Sequence, residues 1–305
     1  MKKHKNIMIQ GTGSSVGKTL IVAGLCRIFA QDGYRVSPFK SQNMALNSFV
    51  DIEGLELSRG TVIQAEAGYE IPRAFMNPIL LKPNSDNNSQ VIINGKVAYT
   101  ADAKTYFSNS KELKKIALET YKNNIENNFD IAVLEGGGSP AEINLREYDL
   151  VNMGMAELVD SPVILVGNID IGGVFASIYG TIMLLNEEDR KRIKGIVINK
   201  FRGNKEVLKS GFEIIENLTG VRTLGVIPYT DIDIEDEDSL SEKYKSFKLN
   251  KNSNKIKTFG MKGNYKTDTA GIIDYKNKAY GFAYLHENET VKLGEASGWY
   301  AGAIK

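Results

Sequence analysis

The stretch KNIMIQGTGSSVGKTL, residues 5–20, constrains this chain more than any other part of it. Residues 6–10 read as a short apolar strand, and residues 16–30 as a helix with an apolar stripe. Between them lies a glycine- and serine-rich turn that ends in Gly17-Lys18-Thr19. A strand, a tight turn and a helix in that order make a phosphate-binding loop. Its backbone N–H groups converge on an anion, and the helix N-terminus adds partial positive charge. Gly13, Ser14, Ser15, Val16 and Gly17 would form the cradle, Lys18 would reach the outer phosphates, and the Thr19 hydroxyl would ligate magnesium. The spacing departs from the common pattern: with Gly17 as the second glycine, the first position falls on Thr12, between Gly11 and Gly13. The competing reading is a plain strand-to-helix turn with an exposed lysine. Gly-Lys-Thr placed between a strand and a helix argues against it.

Further apolar runs recur at residues 34–39, 131–134, 163–166, 196–198 and 224–227. Each is short, rich in β-branched residues and without in–out alternation, as in strands buried on both faces of a parallel sheet. Residues 104–128, 147–159, 174–185 and 205–218 read as the helices between them. The chain is therefore expected to be α/β, a doubly wound, mostly parallel sheet with a phosphate loop. Ligands of such sheets sit beyond the carboxyl ends of the strands. Five polar, glycine-rich segments follow strands here, which predicts one shared site. After Tyr229 the sequence turns acidic and then rich in lysine and asparagine. Residues 231–258 read as a linker, and 259–305 as a short irregular or β-rich tail.

Lys+Arg number 38 against 37 Asp+Glu, so no basic excess points to nucleic acid. No apolar run approaches the ~20 residues that cross a bilayer. The basic N-terminus runs straight into the phosphate loop, so a signal peptide is not expected, and a cytoplasmic setting is. The single cysteine, Cys26, excludes an intrachain disulfide framework and a cysteine-based zinc site. Its helical position suits a small buried hydrophobe.

Glu135 ends one apolar strand before Gly136-Gly137-Gly138. A carboxylate there could complete the magnesium shell with Thr19, or it could cap a neighbouring helix. Lys40 ends another strand, where a second cation would suit phosphoryl transfer. Asn199, also at a strand end, carries the donor and acceptor that an adenine edge needs. Lys40 and Asn199 are each weak signals taken alone.

Together the motifs GTGSSVGKT, PFKSQNMALNS, MNPILLKPNSDNNSQVIINGK, LEGGGSPAEINLR, VNMGMAELVDSPVILVGNIDIGGVFASIYGT and INKFRG resemble the cobyric acid synthase family. The resemblance runs in order from about residue 7 to about residue 243. It implies an ATP- and magnesium-dependent synthetase of cobalamin biosynthesis, on the fold shared with dethiobiotin synthetase, over residues 1–230. Peripheral carboxylates (b, d, e and g) of adenosylcobyrinic acid a,c-diamide would be activated as acyl phosphates and amidated to adenosylcobyric acid. By position, Lys18, Lys40 and Glu135 would serve the chemistry, Thr19, Glu56 and Glu135 the metal, and Asn199 the adenine. Gln42, Asn43, Asn47, Ser139, Glu142 and Asn144 would face the corrinoid.

The chain departs from the family pattern in two loops. Asn168-Ile169-Asp170-Ile171 stands where an acid and an arginine are usual, and Glu56-Leu57-Ser58-Arg59-Gly60-Thr61 where EIGRAQ is usual. The family also continues into a glutaminase with a nucleophilic cysteine and a histidine, for which Cys26, His4 and His286 lie in no matching motif. Ammonia would then come free or from a glutaminase on another chain, and a homodimer stays open. Two other readings compete: a nucleotide-switched partitioning or scaffold ATPase, and a non-catalytic remnant. The phosphate loop lacks the extra early lysine that the partitioning ATPases usually carry.

Overall fold

The computed structural model describes residues 4–84, 88–230, 267–275, 278–285 and 299–304. Two compact units result, Met1–Tyr229 and Thr230–Lys305. In the second unit, strands β13 (Thr267–Tyr275), β14 (Lys278–Leu285) and β15 (Trp299–Ile304) form an antiparallel sheet in sequence order. The stretch read as a linker, 231–258, lies outside the described residues, as does His286.

The first unit is built on a six-stranded sheet. Its strands are β1 (Lys5–Gly11), β2 (Val36–Phe39), β9 (Ile131–Glu135), β10 (Val163–Asn168), β11 (Ile193–Phe201) and β12 (Thr223–Pro228). They lie in the order β12-β11-β10-β1-β9-β2, and every pairing is parallel. Successive residues serve opposite faces. Met8, Leu134 and Leu165 join a large core on one side, while Ile9, Val133 and Ile164 join a smaller core with Val22 and Cys26 on the other. That is why the central strands show no polar alternation: in β9 and β10 both faces are covered. Leu134 is 1% exposed. Leu134→Ala is expected to cost about 2–5 kcal/mol, read as a lower urea midpoint at unchanged slope.

Helix α1 spans Lys18–Gln31, two residues later than the apolar pattern suggests. Gly17 has φ 96°, a left-handed value that ends the loop and cannot continue a helix. Helices α6 (Val174–Leu184) and α8 (Lys209–Thr219) stand where the periodicity puts them. The expected helix over 104–128 is broken into α3 (Ala103–Ser108), α4 (Ser110–Thr120) and a π turn at Tyr121–Glu126. Over 147–159 only α5, Met153–Leu158, is helical. The Asp149 carboxylate accepts the N–H groups of Val151, Asn152 and Gly154, which folds the preceding residues into a turn instead. A short α7, Glu187–Arg192, precedes β11.

The sequence reading assigned motifs but no secondary structure to the segment between β2 and α3. It holds a parallel and antiparallel sheet, β3-β6-β7-β8, from β3 (Gln42–Met44), β6 (Ile79–Pro83), β7 (Asn88–Ile93) and β8 (Lys96–Asp102). Beside it lie the hairpin β4 (Ser48–Val50) and β5 (Glu56–Ser58), and helix α2 (Arg59–Ala67). The β7–β8 turn is Asn94-Gly95 with φ 46° and 79°, the two left-handed residues that a tight hairpin needs.

Candidate functional site

The phosphate loop leaves β1 at the carboxyl edge of the sheet, between neighbours β9 and β10. The N-cap residue of α1, Gly17, has no side chain to cap it, and no acid stands in the first turn, so the helix field is left for an anion. The loop is tight from within. A Cβ on Gly17 would come within 2.2 Å of Asn199 Nδ2, and one on Gly11 within 2.4 Å of Val16. Lys18 is buried, and its ammonium donates to Gly13 O at 2.9 Å and Gly138 O at 3.0 Å. It thereby bridges the phosphate loop and the glycine loop that follows β9.

Glu135 pairs in register with Ile9 and is 2% exposed. Its Oε1 accepts the Thr19 hydroxyl at 3.0 Å and the Lys40 ammonium at 3.1 Å. Its Oε2 accepts the Gln64 side-chain amide. A buried carboxylate with a cation and two further donors has its desolvation offset. Thr19, Lys40 and Glu135 thus come together from α1, the end of β2 and the end of β9, although they are far apart in the chain. Thr19 and Glu135 offer hard oxygen donors of the kind magnesium takes beside phosphate oxygens. Among the described residues, no group of three or more His, Cys, Asp or Glu could hold a metal by itself.

Asn199 lies beneath the loop, 4% exposed, and its amide donates to Val16 O at 2.8 Å. Lys200 reaches Ser15 O at 2.8 Å. Both brace the cradle from the end of β11. The Glu56 carboxylate pairs with Lys82 and accepts the Ser48 hydroxyl, and neither contact involves Thr19 or Glu135. Burial works against its charge, yet Lys82 and Ser48 hold its carboxyl below the usual range.

The residues expected to face a corrinoid fall in two groups. Gln42 accepts the Tyr106 hydroxyl at 2.7 Å, and burial pushes that hydroxyl's pKa up, so it stays a donor. Asn43 is buried and Asn47 exposed. Beyond the glycine loop, Ser139 caps Ala141 N, while Glu142 and Asn144 are exposed. Three residues absent from the sequence reading hold the site together. Asn152 donates to Gly137 O at 2.6 Å and Ser139 O at 3.2 Å, pinning the glycine loop. Asn77 donates to Lys40 O at 2.9 Å and accepts Ser58 N. Gln64 touches Glu135 directly. Asn77 and Asn152 sit inside distinctive motifs, MNPILLKP and VNMGMAEL, which was the available signal.

Residues 7–241 match the CbiA family, described as "CobQ/CobB/MinD/ParA nucleotide binding domain". The chain belongs to this family. As a CbiA-family member it is 58% identical over 236 residues to a cobyric acid synthase of Clostridium botulinum (strain Loch Maree / Type A3), covering 77% of this chain and 48% of that protein. It is 60% identical over 236 residues to one of Alkaliphilus metalliredigens (strain QYMF), covering 77% and 47%. The chain spans about half the length of the curated relatives it matches. Among solved structures, the septum site-determining protein MinD of Pyrococcus horikoshii OT3, complexed with Mg-ADP, is 17% identical with a TM-score of 0.43, over 74% of this chain and 82% of that one. No helix among the described residues is long and apolar enough to cross a membrane.

Proposed function

We propose that this chain is the ATP-using synthetase part of a cobyric acid synthase of cobalamin biosynthesis. The observation that carries this is the convergence of Thr19, Lys40 and Glu135 beside the Lys18 phosphate loop, in a chain 58% identical to such enzymes over 236 residues. The substrate would be a corrinoid with free carboxylates, adenosylcobyrinic acid a,c-diamide. In this reading the loop amides and Lys18 bind the outer phosphates of ATP. Lys40 neutralises charge on the phosphoryl group as it passes to a carboxylate, and ammonia then displaces phosphate to leave an amide. Magnesium, bound at Thr19 and Glu135, would neutralise the phosphate oxygens. Asn199 already spends one amide N–H on Val16 O, so its carbonyl oxygen and remaining N–H are what it can offer adenine. Gln42, Asn43, Asn47, Ser139, Glu142 and Asn144 remain the proposed corrinoid side, and Glu56 the proposed second carboxylate near the metal.

The deciding measurement is ATP hydrolysis with and without the corrinoid at high ammonium. Stimulation by the corrinoid with amide formation is expected. Corrinoid-independent turnover would favour a switch ATPase, and binding without turnover a remnant. The same preparation is expected to release no ammonia from glutamine. Cys26 is fully buried among Val22, Val36 and Val133, and burial pushes its thiol's pKa well up, away from nucleophilic thiolate. Cys26→Ser should leave ammonium-dependent amidation nearly unchanged. Glutamine consumption that Cys26→Ser stops would overturn this assignment.

A further inference from the structure

Gln64 is wholly buried on the inner face of α2, a helix that packs against α1. Its amide nitrogen donates to Glu135 Oε2 and lies 3.4 Å from the main-chain oxygen of Thr19. The orientation follows from chemistry: turning the amide over would set its oxygen against a carboxylate oxygen, acceptor against acceptor. One side chain on a third element therefore grips both groups proposed to face the metal, Glu135 through its carboxylate and Thr19 through its backbone. Its own Oε1 is buried and has no partner among the described residues.

We propose that Gln64 is a positioning residue for the divalent cation: by holding Oε2 of Glu135 and the main chain of Thr19, it fixes the two groups that would face the ion. This rests on the metal reading given above. With Oε2 held by Gln64, Oε1 is the oxygen presented to Thr19 and Lys40, and the rotation of the carboxylate is removed. Groups that orient metal ligands in this way typically change metal affinity about 10–100-fold when removed.

The test is a magnesium titration of the binding of a fluorescent ATP analogue. Gln64→Met keeps the length and apolar bulk but removes both polar atoms. Gln64→Asn keeps the amide but draws it out of reach by one methylene, and it carries the test if the Met protein melts early. Both variants should need about tenfold or more additional magnesium for half-saturation, while analogue binding in excess chelator stays close to wild type and the proteins remain folded at the assay temperature. A loss of analogue binding in chelator equal to the loss in magnesium would mean general damage to the loop and would overturn the inference. So would a variant that titrates within twofold of wild type while the wild-type protein responds to magnesium. A wild-type protein with no magnesium response would instead remove the metal reading, and this inference with it.

Discussion

Lys18→Ala is expected to lose ATP turnover by at least about a hundredfold, the usual cost of removing one preorganised charge from a transferring group, while the protein stays folded. Lys18 is buried, so survival of the fold depends on what its ammonium leaves behind. Its ammonium is held by two main-chain carbonyls, and Gly13 and Gly138 are themselves only half-buried. Water can therefore reach those oxygens once the lysine is gone, and an orphaned acceptor is avoided. Turnover and melting should thus separate. A folded Lys18→Ala protein that hydrolyses ATP at the wild-type rate would remove Lys18 from the chemistry.

Glu135→Gln should have the second largest effect, raising the magnesium needed for half-maximal ATP turnover about tenfold or more. The change keeps shape but swaps two acceptor oxygens for one oxygen and one NH2. Three donors face this side chain: the Thr19 hydroxyl, the Lys40 ammonium and the Gln64 amide. A carboxylate satisfies all three, whereas an amide can turn its oxygen to only one side. Lys40 also loses its ion pair with Glu135, which is costly for a lysine only 6% exposed. A lower melting temperature should therefore accompany the shift in magnesium. An unchanged magnesium titration would leave Glu135 as a structural anchor for Lys40 alone.

The parallel sheet and the phosphate loop were legible because their signals are local. A strand covered on both faces shows as a short unbroken apolar run, and a loop closed on a helix N-terminus shows as glycines at fixed offsets from Lys18 and Thr19. The ends of those strands then placed Lys40, Glu135 and Asn199 at one edge without any knowledge of contacts. The helix α2 left no such mark. Seven of its nine residues are buried, polar and apolar together, so no apolar stripe at helical spacing sets it apart. The second sheet did leave one: Asn94-Gly95 between two β-rich runs is a hairpin signal that the reading passed over.

Pairings across the chain lay beyond any local pattern. Gln64 meets Glu135 across 71 positions, and Asn199 meets Val16 across 183. Glu56, assigned by motif to the metal, has Lys82 as its ion-pair partner because β5 carries it toward the second sheet, a pairing no motif announces. By itself, then, the sequence determined which strand ends carry polar groups and which glycine-rich loop opens the first helix, through rules that act over a few residues. Only the tertiary structure decided which of those groups touch. Each contact depends on where a separately folded segment packs, and packing is settled by the fit of whole faces, which no short window of sequence contains.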